Sequence, residues 1–530
     1  MGCHQIVAAG VAALCFAGTA LAQESPRPDA ATCAAAIRAL LADVAARDLD
    51  TSAGPPRNAF LTLNTSAIAE AGVLDRLTEA GARPGPLHCM PVAVKDNFDT
   101  YDMPVTVGSL SLVGNQPPRD AEFVARLRRA GAIIVGKTNM DEFAMGIGGI
   151  SGAGGRVGNA YDPNQSAGGS SSGSGVAVGM GWVPIALGSD NCGSLRIPAA
   201  YNGAVSLRPT YGRFSTEGLF PIGFVNGVPG AIARDTAMLS RAWTVLSETW
   251  KVDQAQAPDA LRGKRIGILG RLGLDGLWSA GDEATRTTFD AGLDLMRTAG
   301  AELVKDVRID DFDLRLGTEF IAGFAPKVDA LLTRYPGPHR DWRDICRSGR
   351  IRPEWSASEC MKVAASSPKR EAAARDRVAA NRSRVVALLD RLKLDAIVYP
   401  VDGRGGAQAN VSPHITCYIA GGSGLPAVAF PAALDSRGLP IGLELLGRPD
   451  ADESLVAMMG AFEALRGAFP APPAAAARRD MAGFDLSDIN NIHLEIGYRA
   501  FRSRKSRAQG DLAPDRFRAL TDDVIRAWQR

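Results

Sequence analysis

An α/β protein built around a sheet is the fold that this sequence predicts, and three observations predict it. Short apolar runs of strand length alternate with longer stretches of helical periodicity. The 530 residues are 46% hydrophobic and 22% charged, an ordinary balance for a globular chain able to bury a large core. Residues 168 to 215 crowd glycine and serine around an apolar centre containing Trp182, Pro184, Ile185 and Leu187. A flexible linker would not carry that centre. The density of glycine instead suggests backbone approaching backbone or ligand, a site made of main-chain donors.

Taken in order, residues 1 to 22 contain no Asp, Glu, Lys or Arg, and Ile6 to Ala22 is apolar, ending Ala20-Leu21-Ala22 before polar Gln23. This is the pattern of a signal peptide cleaved after Ala22, short for a spanning helix, and it predicts a periplasmic or secreted protein not held in a membrane after cleavage, with a retained anchor as the alternative. Of eight cysteines, Cys3 and Cys15 fall in that leader. The other six (Cys33, Cys89, Cys192, Cys346, Cys360 and Cys417) show no CxxC spacing and have few histidines for company, so no zinc site and no metal is expected. In an oxidising compartment Cys346 with Cys360 is the first candidate disulfide and Cys33 with Cys89 the second; otherwise these are buried thiols.

Apolar residues recur at helical spacing over Ala31 to Ala46 and again over Asn58 to Ala71. Pro91 to Lys95 is a short apolar strand ending in a lysine, and Ala132 to Val135 is another, leading into Gly136-Lys137-Thr138-Asn139. Gly175 to Leu187 suits a buried helix followed by a tight connection. Later strands are expected at Lys264 to Leu269, Asp395 to Tyr399, Pro426 to Phe430 and Pro440 to Leu446. Helices are expected at Asp282 to Thr298, Lys369 to Arg391 and Glu453 to Leu465. Beyond Pro470 the chain is rich in Pro and Ala, then charged. Its basic run, Arg499, Arg502, Arg504, Lys505 and Arg507, reads as the solvated face of a helix. With a net charge of +2 the chain is no general polyanion binder, and no nucleic-acid partner is expected.

The chemistry-bearing run reads GGSSSGSG at 168 and GSDNCGSLRIP at 188, placing Ser170 and Ser194 24 residues apart. It resembles the defining segment of the amidase signature family, usually GGSSGGS followed by G(T/S)D-x-GGS-x-R-x-P. Cys192 and Ser172 stand here where that pattern has glycine. The stretch GPLHCMPVAVKDN ending at Asn97 resembles the family's lysine motif, with Cys89 at another glycine position. The resemblance covers roughly residues 50 to 235 and 393 to 465. It implies a central mixed β-sheet flanked by helices in a single large catalytic domain, residues 23–470. The variable stretch 236–392 would lie on the substrate side, and 471–530 would form a C-terminal helical extension. GKTNMDEFAMG at 136 is similar to the A subunit of glutamyl-tRNA amidotransferases, which keeps that subclass open beside exported bacterial amidases.

The family's chemistry carries over residue by residue. Ser194 would be the nucleophile, with Ser170 passing its proton to Lys95. Backbone N–H groups of Asn191, Cys192, Gly193 and Ser194 would form the oxyanion hole. Because those donors are main-chain, a cysteine at 192 is compatible with the hole. Lys95 can act only when neutral, and lowering its ordinary pKa of about 10.4 to near 7 costs about 4 to 5 kcal/mol, drawn from burial and neighbouring dipoles. Lys137 is physically as good a candidate, but the family's GKTN motif gives it no catalytic role. Asp190 and Arg196 are expected as an ion pair that supports the site. Gly169 to Gly173 also spells G-x-S-x-G, but the segment before it, Asp162 to Ala167, is polar and holds Pro163, so the strand that a nucleophile elbow needs is missing. No cofactor is implied. The function expected is hydrolysis of a small or peptide-like amide through a serine acyl-enzyme. Alternatives are an amidotransferase subunit delivering ammonia to a partner, or a non-catalytic binding relative, and a homodimer is left open.

Overall fold

The computed structural model describes residues 32–473, except 53, 223–225, 248, 251–256, 273–282, 314–322, 335–336, 353–356, 365–366 and 402–415. The expected leader at 1–22 and the extension from 474 onward, with its basic run, lie outside the described residues. In chain order the strands are β1 (Phe60–Leu63), β2 (Pro91–Lys95), β3 (Ile133–Thr138), β4 (Ile150–Ser151), β5 (Gly155–Arg156), β6 (Ile185–Asp190), β7 (Val205–Arg208), β8 (Val228–Ala233), β9 (Arg265–Leu272), β10 (Glu302–Ile309), β11 (Ala396–Pro400), β12 (Ala427–Leu434) and β13 (Pro440–Leu446). All but β4 and β5 join one 11-stranded sheet in the order β1-β3-β2-β6-β8-β7-β12-β13-β11-β9-β10. Parallel pairs lie toward its two ends, β3-β2-β6 and β11-β9-β10, and the strands between them pair antiparallel. The expected mixed α/β architecture is therefore present, with helices covering both faces.

Helices α1 (Cys33–Arg47), α2 (Ala67–Glu79), α3 (Glu122–Arg129), α4 (Ser172–Gly179) and α5 (Arg196–Tyr201) frame the part of the sheet that carries the serines. Strand β2 shows how the faces are assigned. Val92 and Val94 enter one core, beside Leu127 and Trp243, while Ala93 enters the opposite core beside Val176 and Ala177 of α4. Successive strand side chains point to opposite faces, so Lys95 follows Ala93 toward α4. Helix α4 can lie this close because it is built of small residues. A Cβ on Gly175 would come 2.6 Å from the Pro198 carbonyl of α5.

One expected element is different. Helical spacing over Asn58 to Ala71 gives way to strand β1 and then the start of α2 at Ala67. Phe60 to Leu63 is buried at every position and pairs antiparallel with β3. A short apolar run is ambiguous by periodicity alone, and here the free edge of β3 decides it. The later strands and helices stand where expected, within four residues at each end. Cys33–Cys89 and Cys346–Cys360 are both disulfides, each with 5.6 Å between Cα atoms. Such bonds typically contribute about 2 to 4 kcal/mol by restricting the unfolded chain. Among the described residues no helix is long and apolar enough to cross a membrane.

Candidate active site

Lys95 ends β2 fully buried, and its Nζ donates to Ser170 Oγ at 2.8 Å and to Ser189 Oγ at 2.9 Å. Asn97 Nδ2 donates to the same Ser189 Oγ at 3.0 Å, fixing the hydroxyl that holds the amine. Burial pushes the Lys95 ammonium down to about 7, against the opposing pull of Asp141 and Asp190. The energetic demand anticipated for a neutral lysine is thus met by removal from water.

Lys137 is just as deeply buried but belongs to another structure. The register between β2 and β3 shifts after Val92–Ile134, so that Ala93 faces Gly136, Val94 faces Lys137 and Lys95 faces Thr138. The extra residue, Val135, reverses the alternation of β3. Lys137 therefore shares Val94's side of the sheet, where its Nζ donates to Phe98 O at 2.8 Å and Pro104 O at 3.3 Å and lies 3.3 Å from Asp96 Oδ1. Thr138, on Lys95's side, bonds Ser174 of α4 at 2.7 Å. One β-bulge separates the two lysines.

Ser170 lies in the segment running into α4, preceded by a cis Gly169–Ser170 peptide. Its carbonyl accepts from Asp141 N–H at 3.3 Å. A Cβ on Gly169 would come 1.9 Å from Asp141 Oδ2, so only glycine admits this approach. Asp141, from the GKTNMDEF stretch, accepts Gly149 and Ile150 N–H groups at 3.0 and 3.1 Å. Burial raises its pKa, with those donors and Lys95 opposing.

Ser194 lies on the turn between β6 and α5, reversed at Gly193 with φ +88°. Ser171 N–H donates to its carbonyl at 3.2 Å, which brings the turn against the serine cluster. Ser194 retains 5% exposure, whereas Lys95 and Ser170 are sealed. The structure thus gathers all three residues on one face and bonds Lys95 to Ser170. No side-chain hydrogen bond joins Ser170 to Ser194 among the described residues. Of the four expected oxyanion donors, Gly193 N–H is occupied, donating to Asp190 Oδ1 at 3.1 Å. Cys192 is disulfide-bonded, so the reading of it as a buried thiol is corrected. Gly421, in the helix Cys417–Ser423, packs so tightly on this turn that a Cβ there would come 2.3 Å from Asn191 O.

The expected Asp190–Arg196 pair exists, with Arg196 Nε donating to Oδ2 at 3.1 Å and Nη2 to Oδ1 at 3.2 Å. It is the centre of a larger buried network that sequence reasoning missed. Arg208 Nη1 donates to Asp190 O at 2.8 Å and to Oδ1 at 3.1 Å. Arg196 Nη1 donates to Glu444 Oε1, which also accepts from Tyr399 O–H at 2.6 Å. Two carboxylates and two guanidiniums balance in charge inside the protein, which is what makes their burial tolerable. Burial alone would raise the Asp190 carboxyl, but Arg196 and Arg208 hold it well below the usual carboxylate range. Burial, reinforced by Arg196, pushes Arg208 down to about 10, with Asp190 resisting. Burial also raises Glu444, against Arg196 and the Tyr399 hydroxyl.

A cleft of about 330 Å³ opens along Leu219, Ile222 and Gly227, walled on the far side by Lys327, Leu331 and Arg334. Lys95, Ser170 and Ser194 do not line it. Its floor is nevertheless tied to the network, because Asn226, beside Gly227, accepts from Arg208 Nη2 at 2.8 Å through its carbonyl.

The amidase family model matches residues 50–456. The A subunit of glutamyl-tRNA(Gln) amidotransferase from Anaeromyxobacter sp. (strain K) is 34% identical over 455 residues, covering 78% of this chain and 90% of the relative. Mandelamide hydrolase from Pseudomonas putida is 30% identical over 455 residues, covering 78% and 86%. Among solved structures, native peptide amidase from Stenotrophomonas maltophilia superposes with a TM-score of 0.75 at 29% identity, covering 83% of this chain and 95% of that one. Sequence relatives, shared fold and the length of the matched region agree, and the chain belongs to the amidase family.

Proposed function

We propose that the protein hydrolyses a carboxylic amide by a Ser-Ser-Lys mechanism. The observation that carries this reading is the buried Lys95, brought down to about 7 and bonded to Ser170 Oγ on the face where the Ser194 turn arrives. Neutral Lys95 keeps Ser189 as the acceptor of one N–H and offers its lone pair to the Ser170 hydroxyl. Ser170 in turn takes the proton of Ser194 as its Oγ attacks the carbonyl carbon. The C=O pair moves onto oxygen, stabilised by N–H groups of Asn191, Cys192 and Ser194. The proton returns through Ser170 to the amide nitrogen, the C–N bond breaks, and amine or ammonia leaves an ester on Ser194. Water attacks that ester by the same relay, releasing the acid and restoring the serine. Asp190, clamped by Arg196 and Arg208, supports the turn. Helix Phe324–Leu332 walls the cleft beside the network, which fits substrate selection by residues 236–392.

A second reading, an amidotransferase subunit that hands ammonia to a partner, is favoured by the GKTNMDEFAMG stretch and by the 34% identical relative. The mature chain assayed alone decides between them. Amine or ammonia release from a panel of aryl, aliphatic and peptide amides is expected, and is lost in Ser194→Ala. Turnover only after a partner is added would favour the second reading, and tight binding of an amide with no turnover would mark a non-catalytic relative. We further propose that residues 1–22 direct export and are removed after Ala22, leaving the enzyme periplasmic or secreted. The two disulfides and the bonded Cys192 fit an oxidising compartment. An intact leader on the purified native protein would refute cleavage.

A further inference from the structure

The cleft walled by helix Phe324–Leu332 is fastened to both halves of the candidate site. On the lysine side, Leu219 bridges Phe98, and Phe220 N–H donates at 2.8 Å to the carbonyl of Asn97, the residue that fixes Ser189 on Lys95. On the serine side, Val228 pairs with Asp190 at the end of the β6–β8 ladder. Asp190 holds the turn, accepting Gly193 and Leu195 N–H groups at 3.1 and 3.0 Å. One residue beyond that pair lie Asn191, where the turn begins, and Gly227, which lines the cleft. Facing residues of an antiparallel pair have Cα atoms about 5 Å apart, so the inner end of the cleft adjoins the Ser194 turn. Asn226 secures the junction, its Nδ2 donating to the carbonyl of Gly421, which packs on Asn191.

The helix offers the cleft a patterned face. Lys327, Ala330, Leu331 and Arg334 all line it, at the i, i+3, i+4, i+7 spacing of one helical stripe. The centre of the stripe is apolar, and each end carries a cation. Neither cation has its donors filled within the protein. Lys327 Nζ stays 3.8 Å from Glu371 Oε1 and Arg334 Nη1 stays 4.0 Å from Glu217 Oε1, too far for hydrogen bonds, and neither side chain makes one among the described residues. Both carboxylates are taken by other arginines. Glu371 accepts from Arg375 at 2.5 Å and Glu217 from Arg119 at 2.6 Å. Around the cleft, Lys327, Arg334, Arg375 and Arg119 thus share only Glu217 and Glu371, and positive charge is in excess. Burial lowers the Lys327 ammonium, with Arg375 adding to the effect and Glu371 opposing it, so an arriving anion would stabilise its charged form.

We propose that the amide cleaved at Ser194 carries an anionic group, a carboxylate set apart from the scissile bond by an apolar body. The body lies along Ala330 and Leu331, opposite Leu219 and Ile222. The carboxylate accepts from Lys327, the less exposed of the two cations at 43% against 60%, and Arg334 adds to the attracting field. A neutral substituent would leave both cations as they are, and a cationic one would be repelled. This rests on the reading of Ser194 as the nucleophile of an amidase.

The test uses the monoanilides of the dicarboxylic acids from succinic to suberic, each beside the anilide of the monocarboxylic acid of equal chain length, with aniline release measured. A second series places the carboxylate on the amine, as N-benzoyl ω-amino acids beside N-benzoyl alkylamines. In at least one series kcat/KM for the acid should exceed that of its neutral partner by about 10- to 100-fold, the range of a charge-assisted hydrogen bond, chiefly through KM. That advantage should shrink as salt is added. Lys327→Met should lower the ratio of acid to neutral substrate about tenfold and Arg334→Met by less. Lys327→Glu should turn the preference toward an anilide bearing a trimethylammonium group. A merely structural role for Lys327 would lower turnover of both members of a pair and leave their ratio unchanged. A ratio within about twofold of unity in both series, or one that Lys327→Met does not move, overturns the proposal. Fluorophosphonate labelling of Ser194 tests the amidase reading by itself, so labelling and turnover without preference for the acids would sink only the anionic subsite. Where no anilide turns over, the cleft is judged by calorimetric binding of the same acids to the whole chain. Binding that Lys327→Met weakens upholds the subsite, and no binding, or binding indifferent to that change, overturns it.

Discussion

Protonation of Lys95 should set the acid limb of the pH–rate profile. With Lys95 brought to about 7 by burial, half the enzyme carries the neutral amine at pH 7. The neutral fraction is about a tenth at pH 6 and about a hundredth at pH 5. The logarithm of kcat/KM should therefore rise with unit slope below pH 7 and flatten above about pH 8, for a substrate that does not itself titrate. The same shift predicts a stability signature of known sign. The folded pKa lies below the unfolded 10.5, so between the two the unfolded chain binds a proton that the folded chain lacks. The contribution of this lysine to stability is least favourable below pH 7, and improves as pH rises from 7 to 10.5. Three and a half units correspond to about 5 kcal/mol. Lys95→Met removes that dependence, so the difference in stability between variant and wild type should move toward wild type by up to this amount on going from pH 6.5 to 10.5. Comparing the difference at two pH values cancels the lost hydrogen bonds to Ser170 and Ser189. The assays are steady-state amide hydrolysis from pH 5 to 9.5 and thermal or urea unfolding of both proteins. A kcat/KM that stays flat down to pH 5, or an acid limb centred above pH 9, would refute a neutral lysine generated by burial.

Asp141→Asn removes an anion that raises Lys95, so the acid limb should move to lower pH; movement upward would show that Asp141 acts in another way. Lys95→Ala should lower kcat by orders of magnitude in a stable protein. Lys137→Ala should act chiefly through stability, because its loss leaves Asp96 and the Phe98 and Pro104 carbonyls without their cation; the reverse pattern would mean the wrong strand has been chosen. Ser194→Ala should fold normally, as judged by circular dichroism, yet neither turn over amide nor be labelled by a fluorophosphonate; labelling at another serine would sink the assignment. Glu444→Gln leaves the Arg196–Arg208 pair with one carboxylate, and breaking a buried pair typically costs about 3 to 5 kcal/mol. Its melting temperature should drop even though Glu444 touches none of the three proposed reacting residues, and a melting temperature equal to wild type would contradict the charge balance described above.

The legibility of the fold followed the length and purity of each pattern. Pro440–Leu446 and Pro368–Arg391 are long or strongly periodic, and local sequence decides them. Phe60–Leu63 is four residues, and what makes it a strand is the edge of β3, some 75 positions away in sequence. The separation of Lys95 from Lys137 had a similar cause. Both end apolar strands, and only the β2–β3 register with its bulge at Val135 sends them to opposite faces. At the site, Ser170, Ser194, Asp190 and Arg196 sit in one short stretch and were readable as a motif, whereas Ser189 and Asn97, which hold the lysine, lay in quoted motifs without a role.

Glu444 marks the harder limit. It contacts Arg196 across 248 positions, and no periodicity encodes such a contact. Yet the strand around it reads PIGLELL, with a single charge among residues that are buried at every position. An unpaired carboxylate there would cost several kcal/mol, so the residue itself implies a cation reaching it from another element. Arg208 at the end of β7 makes the complementary demand for an anion. The sequence therefore stated that buried charges had to be paired, and Asp190, lying between the two arginines and beside the turn, is where that requirement meets the chemistry. Charge balance and the geometry of the Ser194 turn are one constraint: a change that unpairs either arginine also releases the carboxylate that holds the Gly193 and Leu195 N–H groups in place.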